Sequence, residues 1–304
     1  MAAVFWQAVL FAEALLAAAI AGLLARLFGG SVTSLAALWL GAFLLLQPLW
    51  VLSATALSRW AVPGPKRPVR VRTVLAEAGT LLISAMRMST WWWRADPPGC
   101  SPSCSTTSSH RAPPVLLVHG ILCNGAIWGP LRHRLGAAGC ERVEGIDLQP
   151  LWADIETFAI HLVHTLEAMH RSSGGKRIVI VAHSMGGLVA RAALRLGGAP
   201  LIARIITLGT PHHGTAIACL LPFAPMRQMC RNSQWLKGLN AEQEGRLLLP
   251  VTCVYSQDDT LVVPPGSAVL KGARHLPLEH LGHLQLATSP RALTEVLEEL
   301  GLGS

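Results

Sequence analysis

The segment AHSMGG places Ser184 between Ala182 and a pair of glycines, Gly186 and Gly187. A run of β-branched residues precedes this segment, and a run typical of a helix follows it. Small residues here allow a strand to turn sharply into a helix, which holds the serine hydroxyl clear of the sheet and directs free helix N–H groups toward it. The pattern predicts a nucleophilic serine rather than an ordinary glycine-rich turn.

A serine hydroxyl is a poor nucleophile at neutral pH and needs a base, together with an acid that orients the base. The acid is expected just after a late strand, where VTCVYSQDD offers Asp258 and Asp259. The candidate bases that follow are His275, His280 and His283. Residue type and chain order alone leave these alternatives open.

Three motifs resemble the bacterial lipase and esterase branch of the α/β-hydrolase superfamily. AHSMGGLVAR resembles its nucleophile elbow, with Ala182 in place of the usual first glycine. VHGILCN resembles its oxyanion loop, and TLGTPHHGT resembles the segment after the elbow helix. The resemblance is close over residues 115–215, looser over 249–290, and does not cover the N-terminal region.

The resemblance implies a catalytic triad in the order serine, acid, histidine. Through YSQDDTLVVP it implies Asp259 rather than its neighbour as the acid, and through LGHLQL it implies His283 as the base for Ser184. It also implies that the backbone N–H groups of Ile121 and Met185 form the oxyanion hole.

From Val115 onward, short apolar runs alternate with segments of helical periodicity. This order predicts an α/β-hydrolase fold, with a mainly parallel sheet covered by helices on both faces. Asp154 and Ser289 stand where helix caps are expected. The segment between Gly214 and Leu249 is either a lid over an acyl pocket or a pair of short core helices.

The N-terminal region is far more apolar than the rest of a chain that is 51% hydrophobic and 14% charged. Two spans, roughly Val4–Leu24 and Val32–Leu57, are each long enough to cross a bilayer as a helix. From Ala2 to Leu57 the only charged residues are Glu13, in the first span, and Arg26, between the spans. We therefore expect a transmembrane hairpin, in which Glu13 is either protonated or paired inside a helix bundle.

The basic residues predict the orientation of this hairpin. The turn between the spans offers only Arg26, whereas the second span is followed by Arg59, Lys66, Arg67, Arg70 and Arg72. Because Lys and Arg near span ends favour the cytoplasmic side, we expect a multi-pass inner-membrane protein with a cytoplasmic catalytic domain. In that compartment the seven cysteines are expected to be free thiols.

The sequence predicts three parts. Residues 1–60 form two transmembrane helices, residues 61–114 form a juxtamembrane part, and residues 115–304 form the catalytic domain. The middle part contains a helical segment, Val74–Trp93, followed by a Pro/Ser-rich linker. That helix either lies on the bilayer or packs on the catalytic domain.

No metal-ligand spacing, phosphate loop, dinucleotide fingerprint or nucleic-acid motif is evident, so no cofactor, metal or nucleic-acid partner is predicted. The expected partners are an ester or lipid substrate and the bilayer, while the oligomeric state is left open. The resulting hypothesis is a membrane-anchored serine hydrolase acting on carboxylic esters, with lipid esters as the expected substrates. The alternatives are an acyltransferase with the same triad and a catalytically silent binding module.

Overall fold

Six parallel strands form one sheet in the computed structural model, which describes residues 1–28, 31–62, 68, 70–90 and 112–303. The strands are β1 (Val115–Val118), β2 (Val143–Ile146), β3 (Ile178–His183), β4 (Ile202–Leu208), β5 (Val251–Ser256) and β6 (Arg274–Leu278). Their order across the sheet is β2-β1-β3-β4-β5-β6, and every neighbouring pair is parallel. The predicted parallel sheet is confirmed.

Strand β6 was not predicted from the sequence. It lies at the edge of the sheet, and its sequence RHLPL has neither an apolar run nor regular alternation. Pro277 is tolerated there because an edge strand has one side that pairs with no neighbour. An edge position thus removes the apolar signal by which the buried strands are recognised.

Ten α-helices flank or precede the sheet in the described part of the chain. They are α1 (Ala2–Phe28), α2 (Val32–Trp60), α3 (Val71–Ser89), α4 (Gly129–Ala137), α5 (Ile155–Ser172), α6 (Met185–Ala193), α7 (Ala224–Met229), α8 (Gln234–Gln243), α9 (Gln285–Thr288) and α10 (Pro290–Glu299). Asp154 caps α5 by accepting the Thr157 N–H at 2.7 Å, and Ser289 caps α10 by accepting the Ala292 N–H at 3.3 Å. Both predicted caps are present.

The side chains of the central strands point alternately into two separate hydrophobic cores. On β1, Leu116 and Val118 pack with α5 and α6 on one face, whereas Val115 and Leu117 pack with α4 and α10 on the other. Since side chains of a strand alternate between faces, a continuous apolar run is required when both faces are covered. This requirement explains the apolar sequences of β1 and β3.

Helices α1 and α2 are long enough and apolar enough to cross a membrane, which by itself is weak evidence that they do. They pack against each other and against α3. Most of their large apolar side chains are exposed, among them Phe11, Leu23 and Leu44. An exposed apolar surface of this size is typical of a membrane or protein contact.

Helix α3 packs on the catalytic domain, as one of its two predicted placements requires. Met88 is fully buried in a core of that domain, and its carbonyl accepts the Asn124 side-chain N–H at 2.9 Å. The opposite face exposes Leu75, Ile83 and Met86. The last three residues of the predicted helical segment, Trp91 to Trp93, lie outside the described residues, as do Lys66, Arg67 and most of the linker.

The cysteines differ in one respect from the expectation of free thiols. Cys219 and Cys230 form a disulfide, while Cys123, Cys140 and Cys253 are buried thiols, and Cys100 and Cys104 lie outside the described residues. The pair brings the start of the 214–249 segment against the end of α7, where Thr215 and Cys230 also form a β-bridge. This proximity arises from the folding of the segment, so cysteine spacing alone could not predict it.

The start of α6 approaches the end of β1 so closely that only glycine fits there. A Cβ atom on Gly186 would lie 2.4 Å from the Val118 carbonyl oxygen and 2.7 Å from that of His119. By contrast, Gly238 lies inside α8, and a Cβ atom there would meet nothing within 4 Å.

We predict that Gly186→Ala lowers the free energy of unfolding by about 1–3 kcal/mol, because the backbone must move to admit the methyl group. Gly238→Ala is the matched control and should raise stability by about 0.5–1 kcal/mol. Chemical denaturation of the two variants and the parent measures both changes. Equal stabilities for Gly186→Ala and the parent would contradict the close packing described above.

Candidate active site

Ser184 occupies the turn between β3 and α6 in a backbone conformation that is rare for a residue with a side chain. Its φ is 54° and its ψ is −126°, and its N–H donates to the Leu208 carbonyl at 2.9 Å. Strain of this kind persists only where the surrounding packing enforces it, and it is concentrated at functional sites. The structure therefore contains the strand–turn–helix geometry that the AHSMGG segment indicates.

Two backbone N–H groups near Ser184 have no acceptor among the described residues. The Met185 N–H is the first of α6, where the helix itself offers no acceptor, and the Ile121 N–H lies in the loop after β1. Gly120 brings this loop against the serine, since a Cβ atom on it would lie 2.8 Å from the Ser184 Cβ. Both amides are therefore available to an oxygen bound at the serine.

His283 and Asp259 form a buried pair. The imidazole Nδ1 lies 2.9 Å and 3.1 Å from the two carboxylate oxygens. The Leu261 and Val262 N–H groups each donate to Asp259 Oδ1 at 2.8 Å, which holds the carboxylate in place. Burial lowers the pKa of His283, but the charge and hydrogen bond of Asp259 outweigh burial, so the pKa is raised above its ordinary 6.5.

The other candidate acids and bases lie apart from this pair. Asp258 accepts the backbone N–H of His280 at 2.8 Å, and the exposed ring of His280 lies 3.3 Å from the same oxygen. His275 lies on the edge strand β6, and its Nε2 bonds to the Leu270 carbonyl. Of the alternatives, the structure brings together Asp259 and His283.

Ser184 and His283 line the same cavity, but no hydrogen bond joins the serine hydroxyl to the imidazole among the described residues. Hydrogen bonds between nucleophile and base are often long or misaligned in the absence of substrate.

His183 lies beside both residues, with its ring centroid 4.7 Å from that of His283 and its Nε2 3.1 Å from the His283 carbonyl oxygen. Burial holds the pKa of His183 well below 6.5, so its neutral ring donates this bond and supports the histidine loop.

His119 and Asp147 support the loop that carries Ile121. His119 donates from Nδ1 to the Gly120 carbonyl at 2.8 Å and accepts the Leu148 N–H through Nε2 at 3.1 Å. Asp147 accepts the Gly125 N–H at 2.7 Å. These bonds hold the loop beside the serine.

Glu77 on α3 was not identified from the sequence, although its side chain reaches the loop of His283. It is buried and accepts the Leu284 and Gln285 N–H groups at 2.7 Å and 3.2 Å. Burial raises the pKa of Glu77 to about 7, while the Leu284 hydrogen bond and the charge of His283 act in the opposite direction. The available signal was a glutamate at helical spacing from the apolar residues Val74 and Leu81, because a buried carboxyl group needs a partner.

A cavity of about 440 Å³ opens beside Ser184 and His283. Its walls are mainly apolar and come from both the catalytic domain and the N-terminal helices. They include Phe5, Trp6, Val9, Leu10, Glu13, Gln47, Trp50, Val51, Ala54, Glu77, Leu81, Ala85, Ile121, Pro211, Ile217, Met226, Met229 and Val262. Helices α1, α2 and α3 thus complete the site.

Specific contacts fix α1 over the site. The Trp6 indole N–H donates to the Leu122 carbonyl at 2.6 Å, and the Gln7 side chain donates to the Ser89 carbonyl at 2.9 Å. Phe5 packs edge-on against Trp152, which stacks on Phe223 with centroids 4.6 Å apart. The first turns of α1 therefore contact the loop that carries Ile121.

One part of the 214–249 segment matches the predicted lid, and another part matches the predicted core helices. Met226 and Met229 on α7 line the cavity, as expected of a lid, whereas Leu236 and Leu239 on α8 are buried in a core. Within the described residues, no group of three or more His, Cys, Asp or Glu side chains is arranged to hold a metal ion.

One family model matches part of the chain. The family model of the PGAP1-like alpha/beta domain matches residues 153–258, which contain Ser184 but neither Asp259 nor His283. None of the curated proteins matches the chain.

Two solved lipases share the fold at low sequence identity. The mature form of the Bacillus licheniformis lipase BlEst2 aligns with a TM-score of 0.56 at 19% identity, over 66% of this chain and 96% of that one. Aspergillus fumigatus lipase B aligns with a TM-score of 0.60 at 14% identity, over 94% of this chain and 85% of that one. The likeness shows that the chain has the α/β-hydrolase fold.

Proposed function

We propose that this protein is a membrane-anchored serine hydrolase that cleaves carboxylic esters through an acyl-enzyme. The observation that carries the proposal is the geometry around one cavity. Ser184 projects from a strained strand–helix turn there, and His283, paired with Asp259, lies in the same wall. The lipase fold of the structural relatives supports the same class of chemistry.

In the proposed reaction, the Ser184 hydroxyl attacks the ester carbonyl while His283 Nε2 accepts its proton. Asp259 keeps the proton of the resting imidazole on Nδ1 and stabilises the imidazolium that forms. The N–H groups of Ile121 and Met185 stabilise the negative oxygen of the tetrahedral intermediate. His283 then protonates the leaving alcohol, and water releases the acyl group by the same route.

The substrates proposed are lipid esters, because the cavity is mainly apolar and its walls include both apolar N-terminal helices. In this scheme residues 1–60 anchor the protein, residues 61–114 join the anchor to the catalytic domain, and residues 115–304 carry out the chemistry. The scheme requires neither a cofactor nor a metal ion.

We further propose that the catalytic domain faces the cytoplasm. The basic residues Arg59, Arg70 and Arg72 at the domain end of the hairpin support this side. The disulfide between Cys219 and Cys230 is more typical of an oxidising compartment. The accessibility of a thiol on the catalytic domain in intact cells distinguishes the two sides of the membrane.

Ser184→Ala should abolish labelling by a fluorophosphonate probe and reduce ester hydrolysis by about 10⁵- to 10⁶-fold, because no other group can form the acyl-enzyme. Purified full-length protein is assayed with the probe and with an ester of a long-chain fatty acid. Asp258→Asn is the matched control and should retain labelling. Folded parent protein that resists the probe would favour the silent binding module. Product analysis with competing alcohols separates hydrolysis from acyl transfer.

The hydrolysis rate should rise with pH as His283 loses its proton, with a midpoint above 6.5 because Asp259 raises the pKa of the imidazole. Asp259→Asn removes that charge. It should move the midpoint to lower pH and reduce kcat by about 10⁴-fold, because the imidazole is no longer held in the reactive tautomer. A midpoint that stays unchanged in the variant would contradict this pairing.

Thiol labelling in intact cells tests the orientation. Ala137 is exposed at the end of α4, and Ala137→Cys in a variant lacking the native cysteines provides a single thiol on the catalytic domain. With that domain in the cytoplasm, the thiol should react only with a membrane-permeant maleimide. Reaction with an impermeant maleimide would place the domain on the opposite side of the membrane.

A further inference from the structure

A polar pair from the two N-terminal helices lies in the wall of the cavity that contains Ser184. Glu13 on α1 is 8% exposed and Gln47 on α2 is 4% exposed, and the Gln47 amide donates to Glu13 Oε2 at 2.9 Å. This bond uses one carboxylate oxygen and one amide hydrogen. The second carboxylate oxygen, the amide oxygen and the second amide hydrogen have no other partner among the described residues, so they are available to a bound group.

The charges around the cavity restrict what that group can be. None of the described residues that line it is Lys or Arg, whereas Glu13 and Glu77 contribute two carboxyl groups. A phosphate placed here would lose its hydration without gaining a cation, which is costly for a buried anion. A neutral group with a hydrogen to donate fits both the free acceptors and the charge.

The position of the pair along the hairpin indicates its depth in a bilayer. Glu13 is 15 residues from the end of α1 at Phe28, and Gln47 is 15 residues from the start of α2 at Val32. At a rise of about 1.5 Å per residue, each stretch spans about 22 Å, compared with about 30 Å for the hydrocarbon core. With the tip of the hairpin at the far boundary, the pair lies about 8 Å inside the near one. A lipid of the near leaflet can therefore reach the cavity without leaving the bilayer.

We propose that the Glu13–Gln47 pair binds a free hydroxyl group on the alcohol part of the substrate. The preferred substrate is then a neutral lipid ester that carries a hydroxyl, such as a monoacylglycerol or diacylglycerol, with its acyl chain along the apolar walls. This inference rests on the proposed ester hydrolysis for the identity of the reaction. The recognition of the hydroxyl rests on the pair alone.

A selectivity measurement tests the proposal in the full-length protein reconstituted in phosphatidylcholine vesicles. Monooleoylglycerol and methyl oleate share one acyl chain and differ in the free hydroxyl groups. In the double variant Glu13→Leu/Gln47→Leu, kcat/KM for monooleoylglycerol should fall about tenfold, as expected when hydrogen bonds to a substrate are lost. The value for methyl oleate should fall by a smaller factor, so the ratio of the two kcat/KM values is the readout.

Thr55→Val is the matched control. Thr55 lies on α2, as Gln47 does, and it is also buried and polar, but its hydroxyl donates to the Val51 carbonyl. It should leave the selectivity ratio at the parent value. If the double variant loses the same factor in kcat/KM toward both substrates, the selectivity ratio is unchanged. That result would show that the pair only joins the helices. Equal turnover of monooleoylglycerol and phosphatidylglycerol by the parent would also overturn the proposal.

Binding to the Ser184→Ala protein separates this inference from the proposed function. Native mass spectrometry should detect monooleoylglycerol in preference to methyl oleate, and the preference should disappear when Glu13→Leu/Gln47→Leu is added. Preferential binding by a parent protein that hydrolyses no ester would refute the hydrolase while leaving the hydroxyl site intact. Equal binding of the two lipids would refute the hydroxyl site whatever the activity.

Discussion

The contact between the start of α6 and the end of β1 is the constraint on which the site depends. Gly186 admits the Val118 and His119 carbonyl groups at a distance that no side chain would allow. Beside this contact, Ser184 has a positive φ, and the Met185 N–H is the first of the helix and has no acceptor within it. The hydroxyl and one of the proposed oxyanion donors are thus positioned by a single packing interaction.

Histidine and acid are positioned by a different means, through loops that follow the last strands. Asp259 lies just beyond β5 and His283 beyond β6, at the edge where the carboxyl ends of all the parallel strands meet. Glu77 and His183 bond to the histidine loop from outside it. The loop therefore depends on a helix that precedes the catalytic domain in the chain, and this dependence links the N-terminal part to the chemistry.

The N-terminal helices have two roles in this arrangement. Their outer surfaces expose apolar side chains suited to lipid, while their inner surfaces close the cavity through contacts such as the Trp6–Leu122 hydrogen bond. In the proposed scheme, the segment that anchors the protein also completes the cavity, so that a substrate would enter directly from a leaflet. The anchor and the binding site would then be one structure.

The sequence by itself determined the strand–helix alternation, the serine turn and the apolar N-terminal spans, because each depends on local residue patterns. It also narrowed the acid and base to a few residues by chain order. Only the tertiary structure brought Asp259 to His283, joined Cys219 to Cys230 and placed Glu77 beneath the histidine loop. Those contacts join residues that are distant in the chain. Their geometry depends on how the elements pack, and local residue patterns do not predict that packing.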